Sequence, residues 1–150
     1  MLFVCTGNTC RSPMAEALFR RAVAGPGEGS LEARSAGTAA REGDEASPRA
    51  REVMAERGID LSAHRARIVT REMVEASDLV LTMTRQHKRA LLELVPDAGD
   101  KVYTLKEFLA REEHDIPDPF GGSVEEYRRV AHELEKDLEE LARRLVGPGN

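Results

Sequence analysis

The chain has 150 residues, of which 41% are hydrophobic and 33% charged, with a formal net charge of −5. This size and balance are typical of one compact domain and argue against a disordered or repeat protein. A nucleic-acid-binding protein usually has a basic surplus and stacking aromatic residues, whereas aromatics here are 4% with no Trp. We therefore expect a single domain over residues 1–150 and no nucleic-acid partner.

The N-terminus has no basic region, and its apolar run is too short for a signal peptide. No stretch approaches the ~18 apolar residues that a membrane span requires. We therefore expect a cytoplasmic protein with no membrane partner. In a reducing compartment, the two cysteines, Cys5 and Cys10, are better explained by chemistry than by a structural disulfide. The four His residues show no metal-ligand spacing with them, so we expect neither a metal nor a cofactor.

Short apolar runs alternate with helical segments along the chain. The predicted strands cover residues 2–4, 31–35, 78–83 and 101–103. The predicted helices start at Pro13, cover 47–57, 70–76 and 88–94, and resume at Ser123, where Ser-Val-Glu-Glu forms a capping box. Gly-Pro-Gly triplets at 25–27 and 147–149 are predicted to end the first and last helices. This alternation predicts a parallel sheet with helices on both faces.

Residues 5–12, Cys-Thr-Gly-Asn-Thr-Cys-Arg-Ser, join the first strand to the first helix. In a parallel sheet, ligands bind beyond the carboxyl ends of the strands, which is where this loop lies. Its backbone N–H groups and the helix N-terminus can cradle an anion, and Arg11 offers a planar fork that matches two phosphate oxygens. We expect Gly7 to adopt a backbone conformation that other residues resist, and Asn8 to tie the loop to itself or to a neighbour.

Cys5 is the candidate nucleophile of this loop. N–H groups, a helix N-terminus and the Arg11 guanidinium all stabilise a thiolate relative to a thiol. Such a thiolate can attack phosphorus, and Ser12 is placed to hydrogen-bond it as it leaves. The alternative is that Cys5 is a small buried hydrophobic residue and Arg11 a surface charge. The loop, the Arg11-Ser12 pair and the start of the first helix follow one another at the required spacing, which favours Cys5 as a nucleophile over Cys5 as a packing residue.

Asp118 is the candidate general acid. It lies between Pro117 and Pro119, which stiffen the backbone and hold the carboxylate at a fixed reach. A phosphoester or phosphoramidate leaving group needs a proton, and the same carboxylate can later activate water. Asp115 is the second choice, and a simple turn is the structural alternative.

Several of these segments together resemble the low-molecular-weight protein tyrosine phosphatases. The resemblance is carried by residues 5–16, by Asp-Pro-Phe-Gly-Gly at 118–122, by Ser-Ala-Gly-Thr at 35–38 and by the strand at 78–83, so it covers nearly the whole chain. It implies a three-layer α/β sandwich with a four-stranded parallel sheet in the order 2-1-3-4, and hydrolysis through a phosphocysteine. It also implies a phosphate-binding loop, supported by Ser35, that consists of Thr6, Gly7, Asn8, Thr9, Cys10, Arg11 and Ser12.

Within this family the sequence is more similar to the protein-arginine phosphatase branch. Thr9 stands where tyrosine-specific members often have an aliphatic residue, and Arg41 stands where many have an aromatic one. Asp44 and Glu45 in the same loop can attract a guanidinium. We expect the partners to be phosphorylated proteins, with phosphoarginine as substrate and inorganic phosphate as product. Phosphotyrosine is the alternative substrate, and Thr84, where tyrosine-branch members often have Asp, receives no role.

Three questions stay open at this point. Cys10 can trap an oxidised Cys5 as a disulfide or can simply be a packing residue. Arsenate reductases share the fold, but no cysteine follows Cys10, so only a route through an external thiol remains. A non-catalytic anion-binding module is the third interpretation, and the joint presence of Cys5, Arg11, Ser12 and Asp118 argues against it.

Overall fold

The sheet of this protein has four short strands, all parallel, in a computed structural model that describes residues 1–24 and 31–146. The strands are β1 (Leu2–Cys5), β2 (Arg34–Gly37), β3 (Val80–Thr82) and β4 (Val102–Thr104). Their order is β2-β1-β3-β4, so the predicted class and strand order are confirmed. β1 lies between two neighbours and all of its residues are buried.

In the part of the chain that the structure describes, six α-helices and one 3-10 turn accompany the strands, and the last two helices follow β4. The helices are α1 (Arg11–Val23), α2 (Pro48–Ala55), α3 (Arg71–Ala76), α4 (Arg85–Leu94), α5 (Leu105–Phe108) and α6 (Val124–Val146). The 3-10 turn covers Pro96–Ala98. Within residues 1–24 and 31–146, no helix has both the length and the apolar character needed to cross a membrane.

The two faces of the sheet support separate hydrophobic clusters. Side chains alternate along β1, so Phe3 and Cys5 join the cluster under α1 and α6, whereas Leu2 and Val4 join the cluster that contains Leu91 of α4. Both clusters consist of residues that are almost fully inaccessible to solvent. The result is the predicted three-layer arrangement, with every strand ending at the same edge.

Several predicted boundaries were wrong, because pairing and capping set the ends of the elements. β2 begins at Arg34 rather than at residue 31, since β1 offers only four partners, from Leu2 opposite Arg34 to Cys5 opposite Gly37. β3 is limited to three residues by its register with β4, which itself starts at Val102. The predicted helix ends at 25–27 and 147–149 lie outside the described residues.

Two helix starts also differ from the prediction. α1 begins at Arg11, so Pro13 is its third residue, where a missing N–H costs no intrahelical hydrogen bond. α4 begins at Arg85, three residues before the predicted start, because Thr84 caps it together with His87. A capping box usually has Glu or Gln at the third helical position, whereas His87 occupies it here, so the sequence did not predict this helix start.

Candidate active site

The loop between β1 and α1 carries most of the predicted site residues. Cys5 is the last residue of β1 and Arg11 is the first of α1. The left-handed conformation in this loop belongs to Asn8, with φ of 57°, so the expectation for Gly7 was wrong. A short polar side chain such as Asn tolerates that conformation better than most residues do.

Glycine is required instead at Gly37, at the end of β2. A Cβ atom there would clash with the backbone oxygen of Thr6 and lie 3.0 Å from the backbone nitrogen of Asn8. The absence of a side chain lets β2 approach the loop. The following residues then hydrogen-bond to it, with the Thr38 N–H donating to the Cys5 carbonyl at 2.9 Å.

Asn8 is the centre of a buried hydrogen-bond network behind the loop. Its Nδ2 donates to Ser12 Oγ at 2.8 Å and to Ser35 Oγ at 2.9 Å. Its Oδ1 accepts from the Arg67 N–H at 3.0 Å, and the Ser35 hydroxyl donates to Glu16 Oε1 at 2.6 Å. Asn8, Ser12 and Ser35 are all buried. The network thereby links the loop to β2, α1 and the segment before α3.

The candidate nucleophile lies directly against Ser12. Cys5 Sγ and Ser12 Oγ are 2.9 Å apart, and both residues are buried. Ser12 Oγ already accepts a hydrogen bond from Asn8. Its own hydrogen is therefore available to Cys5, and a thiolate at Cys5 can only accept. The geometry is suited to a Ser12 that stabilises negative charge on sulfur.

Arg11 joins this loop to the acid loop, defined here as residues 114–122. Its guanidinium is buried, with Nη1 donating to the Ile116 carbonyl at 2.9 Å and Nη2 lying 3.6 Å from Asp118 Oδ2. The Ile116 N–H in turn donates to the Met83 carbonyl, just after β3, at 2.8 Å. One cation therefore contacts both loops.

The two candidate acids occupy different positions. Asp118 is half-exposed, and its Oδ1 accepts from the Phe120 N–H at 3.0 Å. Asp115 Oδ1 instead accepts from the Arg85 N–H at 2.9 Å, at the start of α4. Only Asp118 of the two lines the cavity above Cys5.

That cavity has a volume of about 220 Å³ and gathers residues from both loops. Its walls are formed by Cys5, Thr6, Gly7, Thr9, Cys10, Arg11, Asp118 and Phe120. The other predicted site residues, Asn8, Ser12 and Ser35, lie behind it. Asp44 and Glu45 do not line it, and Glu45 lies 3.7 Å from Arg51 and 3.9 Å from Arg65, so the attraction of a guanidinium by that loop stays a prediction.

Cys10 faces two hydroxyl groups on the far side of the loop. Its Sγ lies 3.3 Å from the Tyr127 hydroxyl and 3.5 Å from Ser47 Oγ. Burial, together with the hydrogen bond to Cys10, raises the pKa of Tyr127 to about 12. Tyr127 therefore stays protonated at neutral pH. Both Cys5 and Cys10 are free thiols.

Two residues at this edge of the sheet received no role from the sequence. His87 is 5% exposed, and its Nε2 lies 2.8 Å from Thr6 Oγ1 of the phosphate loop, residues 5–12. Its Nδ1 accepts from the Thr84 backbone N–H at 3.2 Å. Burial, followed by repulsion from Arg11, lowers the pKa of His87 to about 4. Thr84 and His87 both follow β3 at the edge of the sheet where ligands bind, and this position was the signal in the sequence that could have indicated a role for them.

One cavity at the carboxyl edge of a doubly wound parallel sheet brings together Cys5, Arg11 and Asp118, with the Asn8 hydrogen-bond network behind it. Among the described residues, no group of three or more His, Cys, Asp or Glu is arranged to hold a metal ion. A family model described as low molecular weight phosphotyrosine protein phosphatase matches residues 1–147. The chain belongs to this family, and it is a low molecular weight protein phosphatase.

The names of individual relatives differ in the phosphorylated residue, arginine or tyrosine, that they give as substrate. The chain is 47% identical to a protein-arginine-phosphatase of Geobacillus stearothermophilus, over 97% of its own length and 95% of the relative's. It superposes with a TM-score of 0.90 on the YwlE arginine phosphatase, solved as a mutant with a phosphorylated active-site serine, at 45% identity and covering 96% and 93% of the two chains. It superposes equally well, at 0.90, on a low molecular weight protein tyrosine phosphatase from T. tengcongensis, at 46% identity and covering 95% and 97%.

Proposed function

We propose that this protein acts as a single domain that hydrolyses phosphoarginine residues of cytoplasmic proteins through a phosphocysteine intermediate. Two named relatives at 47% and 45% identity are arginine phosphatases. The observation that carries the choice of substrate is the position of Thr9 on the cavity wall, beside Cys5 and Asp118. A hydroxyl there suits a polar phosphoguanidinium group, whereas an aliphatic side chain suits a phenyl ring.

In the first step, Cys5 Sγ attacks phosphorus and an S–P bond forms as the P–N bond to arginine breaks. Loop N–H groups and the Arg11 guanidinium hold the phosphoryl oxygens as their charge rises. Asp118 donates its proton to the leaving nitrogen, so that arginine departs as a guanidinium cation rather than as the strongly basic neutral guanidine. The half-exposed Asp118 carboxyl is well placed to reach a substrate that arrives from solvent.

In the second step, water attacks the phosphocysteine and the S–P bond breaks. Asp118, now a carboxylate, takes a proton from that water. The Ser12 hydroxyl donates to Cys5 Sγ at 2.9 Å and stabilises the departing thiolate. Inorganic phosphate leaves the loop, and the free thiolate is ready for another cycle.

Phosphotyrosine is the second candidate substrate, because the same atoms can protonate a phenolate oxygen. It is favoured by the similarity to the T. tengcongensis tyrosine phosphatase, which is as identical as the arginine phosphatases. The choice between the two therefore depends on the cavity wall rather than on the catalytic groups.

The test compares kcat/KM on matched phosphoarginine and phosphotyrosine peptides. We expect the unmodified protein to prefer phosphoarginine and Thr9→Ile to shift the ratio toward phosphotyrosine by about tenfold or more. Thr9→Ser is the matched control, because it retains the hydroxyl and should retain the preference. A preference of the unmodified protein for phosphotyrosine would overturn the substrate assignment and leave the phosphocysteine mechanism intact.

A further inference from the structure

We propose that His87 is a positioning residue, which holds the Thr6 side chain so that its hydroxyl donates a hydrogen bond into the catalytic cavity. The acceptor would be a phosphoryl oxygen in the transition state, so the inference rests on the phosphatase mechanism proposed above. It does not depend on which amino acid carries the phosphate.

The hydrogen-bond partners of His87 define its tautomer. The Thr84 backbone N–H can only donate, so Nδ1 of His87 must be the acceptor. The neutral ring therefore carries its proton on Nε2. That N–H donates to Thr6 Oγ1 over 2.8 Å, from a ring that is almost wholly buried.

The hydrogen bond from His87 also determines where the Thr6 hydroxyl can donate its own hydrogen. Its oxygen accepts the proton of His87 from the side of the protein interior, while the Thr6 side chain itself is exposed and forms part of the cavity wall. A hydroxyl has one hydrogen, and His87 cannot accept it on Nε2 in this tautomer. The Thr6 hydrogen is therefore left for a group in the cavity that contains Cys5, Arg11 and Asp118.

A purely structural role for His87 would need only part of these contacts. Capping α4 uses Nδ1, together with the Thr84 hydroxyl that accepts from the His87 backbone N–H at 3.2 Å. The Nε2 contact adds nothing to that cap. It instead connects the first turn of α4 to a residue next to the nucleophile, 81 positions away in the sequence.

The experiment measures para-nitrophenyl phosphate turnover and inhibition by vanadate, so that it is independent of phosphoarginine. We expect Thr6→Val to lower kcat/KM about tenfold and to weaken vanadate inhibition by a similar factor, as for one lost charge-assisted hydrogen bond. Thr6→Ser retains the hydroxyl and should remain within about threefold of the unmodified protein. His132→Gln, an exposed change on α6, is the control that should alter neither measurement.

A double-mutant cycle then tests the dependence of Thr6 on His87. His87→Phe fills the same space without a donor and should cause a similar loss, and Thr6→Val should add little in that background. Additive losses, or a Thr6→Val variant with unchanged kcat/KM and vanadate inhibition, would overturn the proposal. If His87→Phe does not fold, a Thr6→Val variant with unchanged kcat/KM and vanadate inhibition still overturns the proposal. A protein that prefers phosphotyrosine would leave this result standing, so the two proposals fail separately.

Discussion

The phosphate loop and the acid loop meet at one cavity but are held in opposite ways. In the phosphate loop, Asn8 is fully buried and its side chain makes three hydrogen bonds. In the acid loop, the Asp118 carboxylate is half-exposed and Phe120 is 72% exposed. The first loop is therefore part of the folded core, whereas the second is a surface segment attached to it.

The attachment of the acid loop is short and specific. Ile116 is buried, its N–H bonds the Met83 carbonyl, and its carbonyl accepts from Arg11. Beyond that residue, the prolines and the Asp118–Phe120 hydrogen bond support the carboxylate. This difference indicates that the phosphate loop and the Asp118 carboxylate are held in place by separate sets of contacts. Changes at Asp118 should affect mainly turnover, and changes behind the phosphate loop should also affect the free energy of unfolding.

The largest effect is expected in the acid loop, from Asp118→Asn. The amide oxygen can still accept from the Phe120 N–H, so the loop should keep its shape while losing the proton. We expect kcat/KM on a phosphoarginine peptide to fall by about 10²- to 10³-fold, and the fall on activated para-nitrophenyl phosphate to be much smaller. The free energy of unfolding should change by no more than about 1 kcal/mol, because the 3.6 Å pair with Arg11 is half-exposed at the carboxylate.

Asp115→Asn is the matched control, because that carboxylate faces the start of α4 rather than the cavity. Equal losses of Asp118→Asn on the two substrates would contradict the acid role. A large loss of stability in the same variant would show that the two loops are not supported independently.

The second effect concerns the phosphate loop and uses Asn8→Gly. Glycine accepts the φ of 57°, so this change removes the side-chain hydrogen bonds without straining the backbone. We expect the free energy of unfolding to fall by about 2 kcal/mol or more, because buried hydroxyls of Ser12 and Ser35 lose a donor. Turnover should fall with it, since the loop is no longer fixed.

Asn8→Ala provides the comparison, because it removes the same hydrogen bonds and adds about 1 kcal/mol of left-handed strain. Chemical denaturation of the unmodified protein, Asn8→Gly and Asn8→Ala measures the contribution of the hydrogen bonds and that of the strain separately. An Asn8→Gly variant as stable as the unmodified protein would mean that the network behind the loop contributes nothing to folding.

The same contrast explains which parts of the site were predictable. Cys5 and Arg11 were predicted to lie at the site because a strand, a loop and a helix place them by local spacing alone. Asp118 was predicted because two prolines mark its segment, and all three residues line the cavity. The left-handed residue was missed because Asn8 takes that conformation with the help of Ser35 and Arg67, which only the folded sheet brings near.

His87 was missed for a similar reason. Its contact with Thr6 requires β1 and β3 to be neighbours, and its burial requires α4 to pack against that edge. Thr84 was noticed only as a departure from a pattern, whereas its role in the structure is to cap α4 and to orient His87. Local patterns predicted the candidate catalytic groups, whereas the residues that contact them are brought near by tertiary contacts and could not be predicted in the same way.

The smallest effect is a pH dependence of stability that arises from His87. Its pKa is lowered from 6.5 to about 4, first by burial and then by repulsion from Arg11, with Asp118 and Asp115 acting in the opposite direction. Between these values the unfolded chain binds a proton that the folded protein does not. Stability from this group is therefore complete above pH 6.5 and is lost as the pH falls toward 4. The loss between pH 7 and pH 5 should be about 2 kcal/mol.

Denaturation curves for the unmodified protein and His87→Gln at both pH values isolate this contribution from the titration of carboxylates. The unmodified protein should lose more stability than the variant on going to pH 5, by roughly the amount assigned to His87. His132→Gln removes an exposed histidine and should follow the unmodified protein. Equal losses in the unmodified protein and His87→Gln would mean that His87 titrates normally in the folded state. The neutral tautomer of His87 would then be lost at acidic pH, and the phosphate loop would no longer be held by a fixed hydrogen bond from His87 under those conditions.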